Sequence, residues 1–287
     1  MRSNRLVLLI ATLLVVVCVV AARGLAPGGR TDAVGAFGHG PTVVLVHGLG
    51  SRATHWLPVA RDLARDHRVV LIDLPGHGLA GMPGALTIPQ AAEALDRAIA
   101  AETPDGEPVV LVGHSVGGLV ATAEALAHPE RVSTLVLVET ALRPQISDAD
   151  RDALLEALDH DYRGTLRANY AAFGRDSLQG EQLFEEAVQL DSTAMKQWID
   201  LAVSTDLSAE ARALRPRVLA VLAPHSWEER ETWPAVAESL GYSHVPAVTP
   251  LRIPGCGHFI MLDRPAALAS AIRRFARGAQ APVVALR

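Results

Sequence analysis

The chain has 287 residues, 49% of them hydrophobic, and a net charge of −5, which is enough apolar content for one sizeable core. The slightly acidic balance, without basic blocks, argues against nucleic acid as a partner. Eleven histidines are present, but no H-E-x-x-H or Cys/His ligand spacing appears, so neither a metal nor a cofactor is expected.

Arg2 and Arg5 precede an apolar run from Leu6 to Ala22, and Arg23 follows it. A basic start, an apolar middle and the small pair Ala21-Ala22 fit a secretory signal. The run also reaches the lower length limit for a membrane span. Residues 1–26 therefore read as a signal peptide or an N-terminal membrane anchor, and both readings stay open. Either one puts the remainder in a secreted or periplasmic location, or anchored to the outer face of the membrane by association through residues 6–22. Cys18 falls inside this run, which leaves Cys256 without an internal partner and excludes a disulfide framework. Residues 27–40, with several glycines and one proline, read as a linker.

Beyond the linker, short and nearly uninterrupted β-branched runs recur at 42–46, 68–72, 109–112, 134–138, 217–222 and 248–253. Runs of this kind suit strands buried on both faces. Helical patterns at about 54–66, 88–102, 116–127 and 265–277 separate most of them. Such alternation predicts an α/β fold with a mostly parallel sheet flanked by helices. Residues 144–212 carry no strand signal and read as several helices. Ser147 followed by Asp150 makes a capping-box-like start for 148–159, and 181–190 and 192–203 are further helical segments. Tyr162, Tyr170, Phe173, Phe184 and Trp198 all lie here.

The most specific local signal is Gly113-His114-Ser115-Val116-Gly117-Gly118, entered from Val109-Val110-Leu111-Val112 and continued by Leu119-Val120-Ala121. A G-x-S-x-G that closes a strand and opens a helix is a nucleophile elbow. Its serine sits on a turn so sharp that the residues two positions either side must lack a Cβ. The hydroxyl is presented with a helix N-terminus behind it, where developing negative charge is favoured. Three further segments accompany it in order: Val43-Val44-Leu45-Val46-His47-Gly48-Leu49-Gly50, then Asp73-Leu74-Pro75-Gly76-His77-Gly78, then Pro254-Gly255-Cys256-Gly257-His258-Phe259.

Taken together, these motifs make residues 41–278 resemble the α/β-hydrolase fold family. The resemblance implies a core in two parts, 41–143 and 213–278, with 144–212 as a helical cap and 279–287 as a C-terminal tail. Members of the family open with an antiparallel strand pair. Residues 31–39 carry little strand propensity, so that pair is expected to be reduced or missing, leaving fewer than eight strands. The resemblance further implies Ser115 as nucleophile, His258 as general base, and the backbone N–H groups of Leu49 and Val116 as an oxyanion hole. Trp198 in the cap and Phe259 beside the base are expected to line the substrate pocket. His114 is read as the variable residue of the elbow, and His47 and Asp73 as anchors of their own loops. The acid resists assignment, because the turn where it normally stands reads Ala223-Pro224-His225-Ser226-Trp227. Glu139 at the end of the preceding strand is the first alternative, and Glu228 or Glu229 the second.

These assignments imply a serine hydrolase that cleaves a carboxylic ester of a small-molecule substrate through an acyl-enzyme. A C–C bond hydrolase or a thioesterase would use the same residues. A ligand-binding protein that has lost turnover is the alternative outside the enzymes.

Overall fold

The computed structural model describes residues 33–278, apart from 79, 83–85 and 104. The expected signal or anchor and the C-terminal tail lie outside the described residues. Among the described residues no helix is long and apolar enough to cross a membrane.

Seven strands form one sheet in the order β1-β3-β2-β4-β5-β6-β7. Six of them are parallel: β2 (Thr42–Val46), β3 (Arg68–Ile72), β4 (Val109–His114), β5 (Val132–Val138), β6 (Arg217–Leu222) and β7 (Val248–Arg252). Alternate side chains explain why these runs lack polar interruptions. Val43, Leu45, Val69, Leu71, Val136 and Val138 pack into one hydrophobic cluster. Their neighbours Val44, Val46, Val70, Ile72, Leu135 and Leu137 pack into the other. Helices α1 (Leu57–Leu63), reached through a 3₁₀ turn at Ala53–Trp56, and α10 (Pro265–Ala276) cover the first face. Helices α2 (Ile88–Glu102), α3 (Val116–Ala127) and α8 (Trp233–Leu240) cover the second. A short helix, α9 (Ile260–Asp263), precedes α10.

The stretch expected as linker needs one correction. Ala33–Gly38 is a strand, β1, paired antiparallel with β3 from Gly38↔Arg68 to Ala33↔Ile72, with a bulge between Ala33 and Gly35. It sits at the sheet edge and is only half-buried, so small residues suffice there and no apolar run marks it. The expected hairpin is thus reduced to one strand.

Between β5 and β6 the chain forms four helices: α4 (Asp148–His160), α5 (Tyr162–Phe173), α6 (Ser177–Ala187) and α7 (Ser192–Ser204). Each has a side-chain N-cap, from Ser147, Asp161, Asp176 and Asp191 respectively, which satisfies first-turn N–H groups that lack helical partners. They pack above the carboxyl ends of the strands, joining residues of both clusters.

Candidate active site

Ser115 leaves β4 with φ 52° and ψ −125°, in the left-handed half of backbone space. A β-carbon there is strained and persists only where its surroundings fix it. Here the fixing bonds are plain. The Ser115 N–H donates to Val138 O at 2.9 Å, and Ser115 O accepts from Gly118 N at 2.8 Å and from the Thr140 hydroxyl at 3.1 Å. The flanking glycines are steric requirements: a Cβ on Gly117 would run into the carbonyl of His47, and one on Gly113 into the backbone of Gly117 and Gly118. Only one other non-glycine residue among those described has positive φ. It is Glu139, also at 52°, one step beyond the register pair His114↔Val138 on the neighbouring strand. The two strained residues therefore leave adjacent parallel strands side by side.

The Glu139 side chain is buried, and its carboxylate is heavily hydrogen-bonded. Oε1 accepts from the Ala223 N–H at 2.5 Å. Oε2 accepts from the Ser226 hydroxyl at 3.0 Å, from His225 Nε2 at 2.8 Å and from His258 Nδ1 at 3.1 Å. Burial works to raise the pKa of this carboxyl, but the bonds from His225 and His258 prevail and hold it down at about 2. The partnership acts on His225 as well, whose pKa is raised by the bond to Glu139 against the opposing effect of burial. The turn after β6 thus supplies donors where an acid was sought. Glu228 and Glu229 at its far end are exposed, and the Glu228 N–H donates to Glu231 Oε2 at 2.7 Å.

His258 is held from several sides. Its N–H donates to the carbonyl of Phe173, the last residue of α5, at 3.1 Å. The Phe173 ring stacks on the imidazole, with centroids 4.9 Å apart and planes 27° from parallel. Its carbonyl accepts from His114 Nε2 at 3.0 Å. Burial and the neighbouring His258 keep the His114 pKa well below that of a free imidazole, so His114 acts as a neutral strut beneath the loop. The preceding Gly257 N–H donates to Asp263 Oδ2 at 2.8 Å.

The loop His47–Gly50 is organised by two buried, neutral imidazoles. His47 Nδ1 donates to Gly48 O at 2.8 Å, and its Nε2 accepts from the Leu74 N–H at 3.0 Å. His77 Nε2 accepts from the Gly50 N–H at 3.1 Å. Burial lowers the two pKa values to about 4 and about 3. The loop is also tied to α5, since the Tyr170 hydroxyl donates to Leu49 O at 2.9 Å. Asp73 Oδ1 accepts from the Ala53 N–H at 2.8 Å, which anchors its own turn to the neighbouring loop.

A cavity of about 250 Å³ brings these parts together. Ser115, Glu139, His258, Leu49 and Val116 line its floor, and Phe259, Tyr170 and Phe173 line its side. Its wall is otherwise mostly aliphatic, from Leu154 on α4, Leu166 on α5, Ile199 on α7 and their neighbours. Val116 opens α3, so its N–H belongs to the first turn, where helical partners are lacking. Trp198 is not part of this wall. It is fully buried, with its indole donating to Pro75 O at 2.8 Å and its ring edge-on to His77. Trp198 thus anchors α7 to the core, which corrects the expectation that it lines the pocket.

Reading the sequence did not reveal His225, Ser226 and Phe173 as members of this constellation. No local pattern marks them. The one available signal was negative, a turn lacking the carboxylate that the strand before it would normally support.

The model of the family described as "Alpha/beta hydrolase family" matches residues 43–271. A "Polyketide synthase ThaQ" of Burkholderia thailandensis is 31% identical over 263 residues, 87% of this chain but 12% of that protein. A "Pimeloyl-[acyl-carrier protein] methyl ester esterase" of Xanthomonas campestris pv. campestris is 30% identical over 256 residues, covering 83% of this chain and 96% of the relative. Among solved structures, an esterase from Exiguobacterium antarcticum superposes with a TM-score of 0.73 at 17% identity, over 88% of this chain and all of that one.

Proposed function

The chain belongs to the alpha/beta hydrolase family, and from that premise we propose that it is a serine hydrolase of carboxylic esters, with Ser115 as nucleophile, His258 as general base and Glu139 as the acid of the triad. In this reading residues 144–212 are the cap over the acyl pocket. The observation that carries it is the charged, buried Glu139 carboxylate bonded to His258 Nδ1 beside a cavity that Ser115 also lines. The name of the Xanthomonas relative favours an ester bond as the target.

Ser115 Oγ attacks the acyl carbon while its proton passes to His258 Nε2. Glu139 holds the imidazole in the tautomer with Nδ1 protonated and stabilises the cation that forms. The N–H groups of Leu49 and Val116 receive the oxyanion, each worth about 3 kcal/mol in the transition state. Collapse expels the alcohol with the proton from His258. Water then attacks the acyl-enzyme, giving its proton to His258, and the carboxylic acid leaves as Ser115 is reprotonated. The elbow's strain serves this chemistry, because it fixes the hydroxyl before substrate arrives.

A fluorophosphonate probe tests the assignment without knowledge of the natural ester. The expected result is a single adduct whose mass maps to Ser115, formed far more slowly in Glu139→Gln. A folded chain that takes no adduct, or takes it at another serine, contradicts the assignment.

A further inference from the structure

A second cluster lies between α2 and α3, away from the catalytic end. Glu124 and His128 are four residues apart at the end of α3, on one helical face. Asp96 reaches them from α2. One ligand-type atom from each of Asp96, Glu124 and His128 lies within 4.8 Å of the other two. Glu124 is 0% exposed, and neither oxygen of its carboxylate has a hydrogen-bond partner among the described residues. A buried carboxylate in that condition is costly unless something compensates it.

Protein groups do not supply the compensation. Arg131 Nε lies 2.5 Å from Asp96 Oδ1 and so answers Asp96. Glu130 adds another carboxylate, its Oε1 being 3.9 Å from His128 Nδ1. We propose that Asp96, Glu124 and His128 form a binding site for a divalent cation of the zinc class, clamping α2 to α3. Two carboxylate oxygens with one imidazole nitrogen suit such an ion, whereas calcium and magnesium favour all-oxygen sets. Half-exposed His128 gives the ion a way in from solvent. The site is a clamp and takes no part in catalysis, since nine helical residues, about 13 Å, separate Glu124 from Ser115. The sequence concealed it because one ligand comes from a different helix, so no single-segment spacing is present.

Isothermal titration of the EDTA-dialysed full-length protein with Zn²⁺, paired with thermal unfolding, tests this. The wild type is expected to bind one equivalent and to unfold about 5 °C higher or more. Glu124→Gln and His128→Asn are expected to lose both effects. His128 is at the surface, so His128→Asn carries the test if Glu124→Gln fails to fold. Absence of binding by the folded wild type overturns the proposal. Equal binding by the variants also overturns it, and would move the ion to another cluster such as Glu139, His225 and His258.

Discussion

A carboxylate can serve an imidazole from inside a protein only if its charge survives burial. Four donors see to that at Glu139, and three of them, Ala223, His225 and Ser226, stand in the turn that normally holds the acid. Glu139→Gln keeps the shape and loses the charge, so ester turnover is expected to fall by about a thousandfold or more, read as kcat on a p-nitrophenyl ester. The same substitution bears on stability. The Glu139 pKa is depressed in the folded protein from 4.5 to about 2, so its contribution is complete above about pH 4.5 and is lost as pH falls toward 2. At 1.36 kcal/mol per unit this amounts to about 3 kcal/mol. Thermal midpoints measured from pH 5 down to pH 2 are expected to fall more steeply for the wild type than for Glu139→Gln. Parallel curves would mean that Glu139 is not held as a charged partner. At this scale the sequence was legible for Ser115 and His258, which sit in glycine-framed motifs. It left Glu139 beside Glu228 and Glu229 because hydrogen-bond donors brought in from another strand carry no local signature.

The elements divide by how they are buried. The six parallel strands were legible because burial on both faces forces a continuous β-branched run. β1 was not, since an edge strand with one neighbour tolerates Gly and Ala. Between β5 and β6, 148–159 and 192–203 were read as helices within one residue of their observed bounds, 181–190 was displaced toward the C-terminus from Ser177–Ala187, and α5 went unnamed. Yet α5 touches the residue proposed as base: its last residue, Phe173, both accepts from the His258 N–H and stacks on its ring. Aromatic contacts of this kind are worth about 1 kcal/mol. Phe173→Ala is therefore expected to lower kcat five- to tenfold with little change in thermal midpoint, because the side chain is only half-buried. An unchanged kcat would remove α5 from any part in orienting the base.

The whole molecule is built on a sheet covered on both faces, with a largely apolar cavity between its carboxyl end and four capped helices. Polar bonds that tie the four helices to the core include Trp198 to Pro75, Tyr170 to Leu49, Phe173 to His258, and Glu186 to His55 and Arg52. The Tyr170 bond is made at the loop proposed to hold the oxyanion. Trp198 shows the limit of reading a cap from composition, since an aromatic can serve attachment as readily as recognition. The measurement that bears most directly on the account is hydrolysis of p-nitrophenyl esters, from acetate to palmitate, by the wild type and by Ser115→Ala. The account predicts turnover that favours short and medium acyl chains, in keeping with a cavity of about 250 Å³, and a loss of about a thousandfold or more in Ser115→Ala. Comparable rates in the two proteins, or no hydrolysis of any ester by the folded wild type, would contradict it.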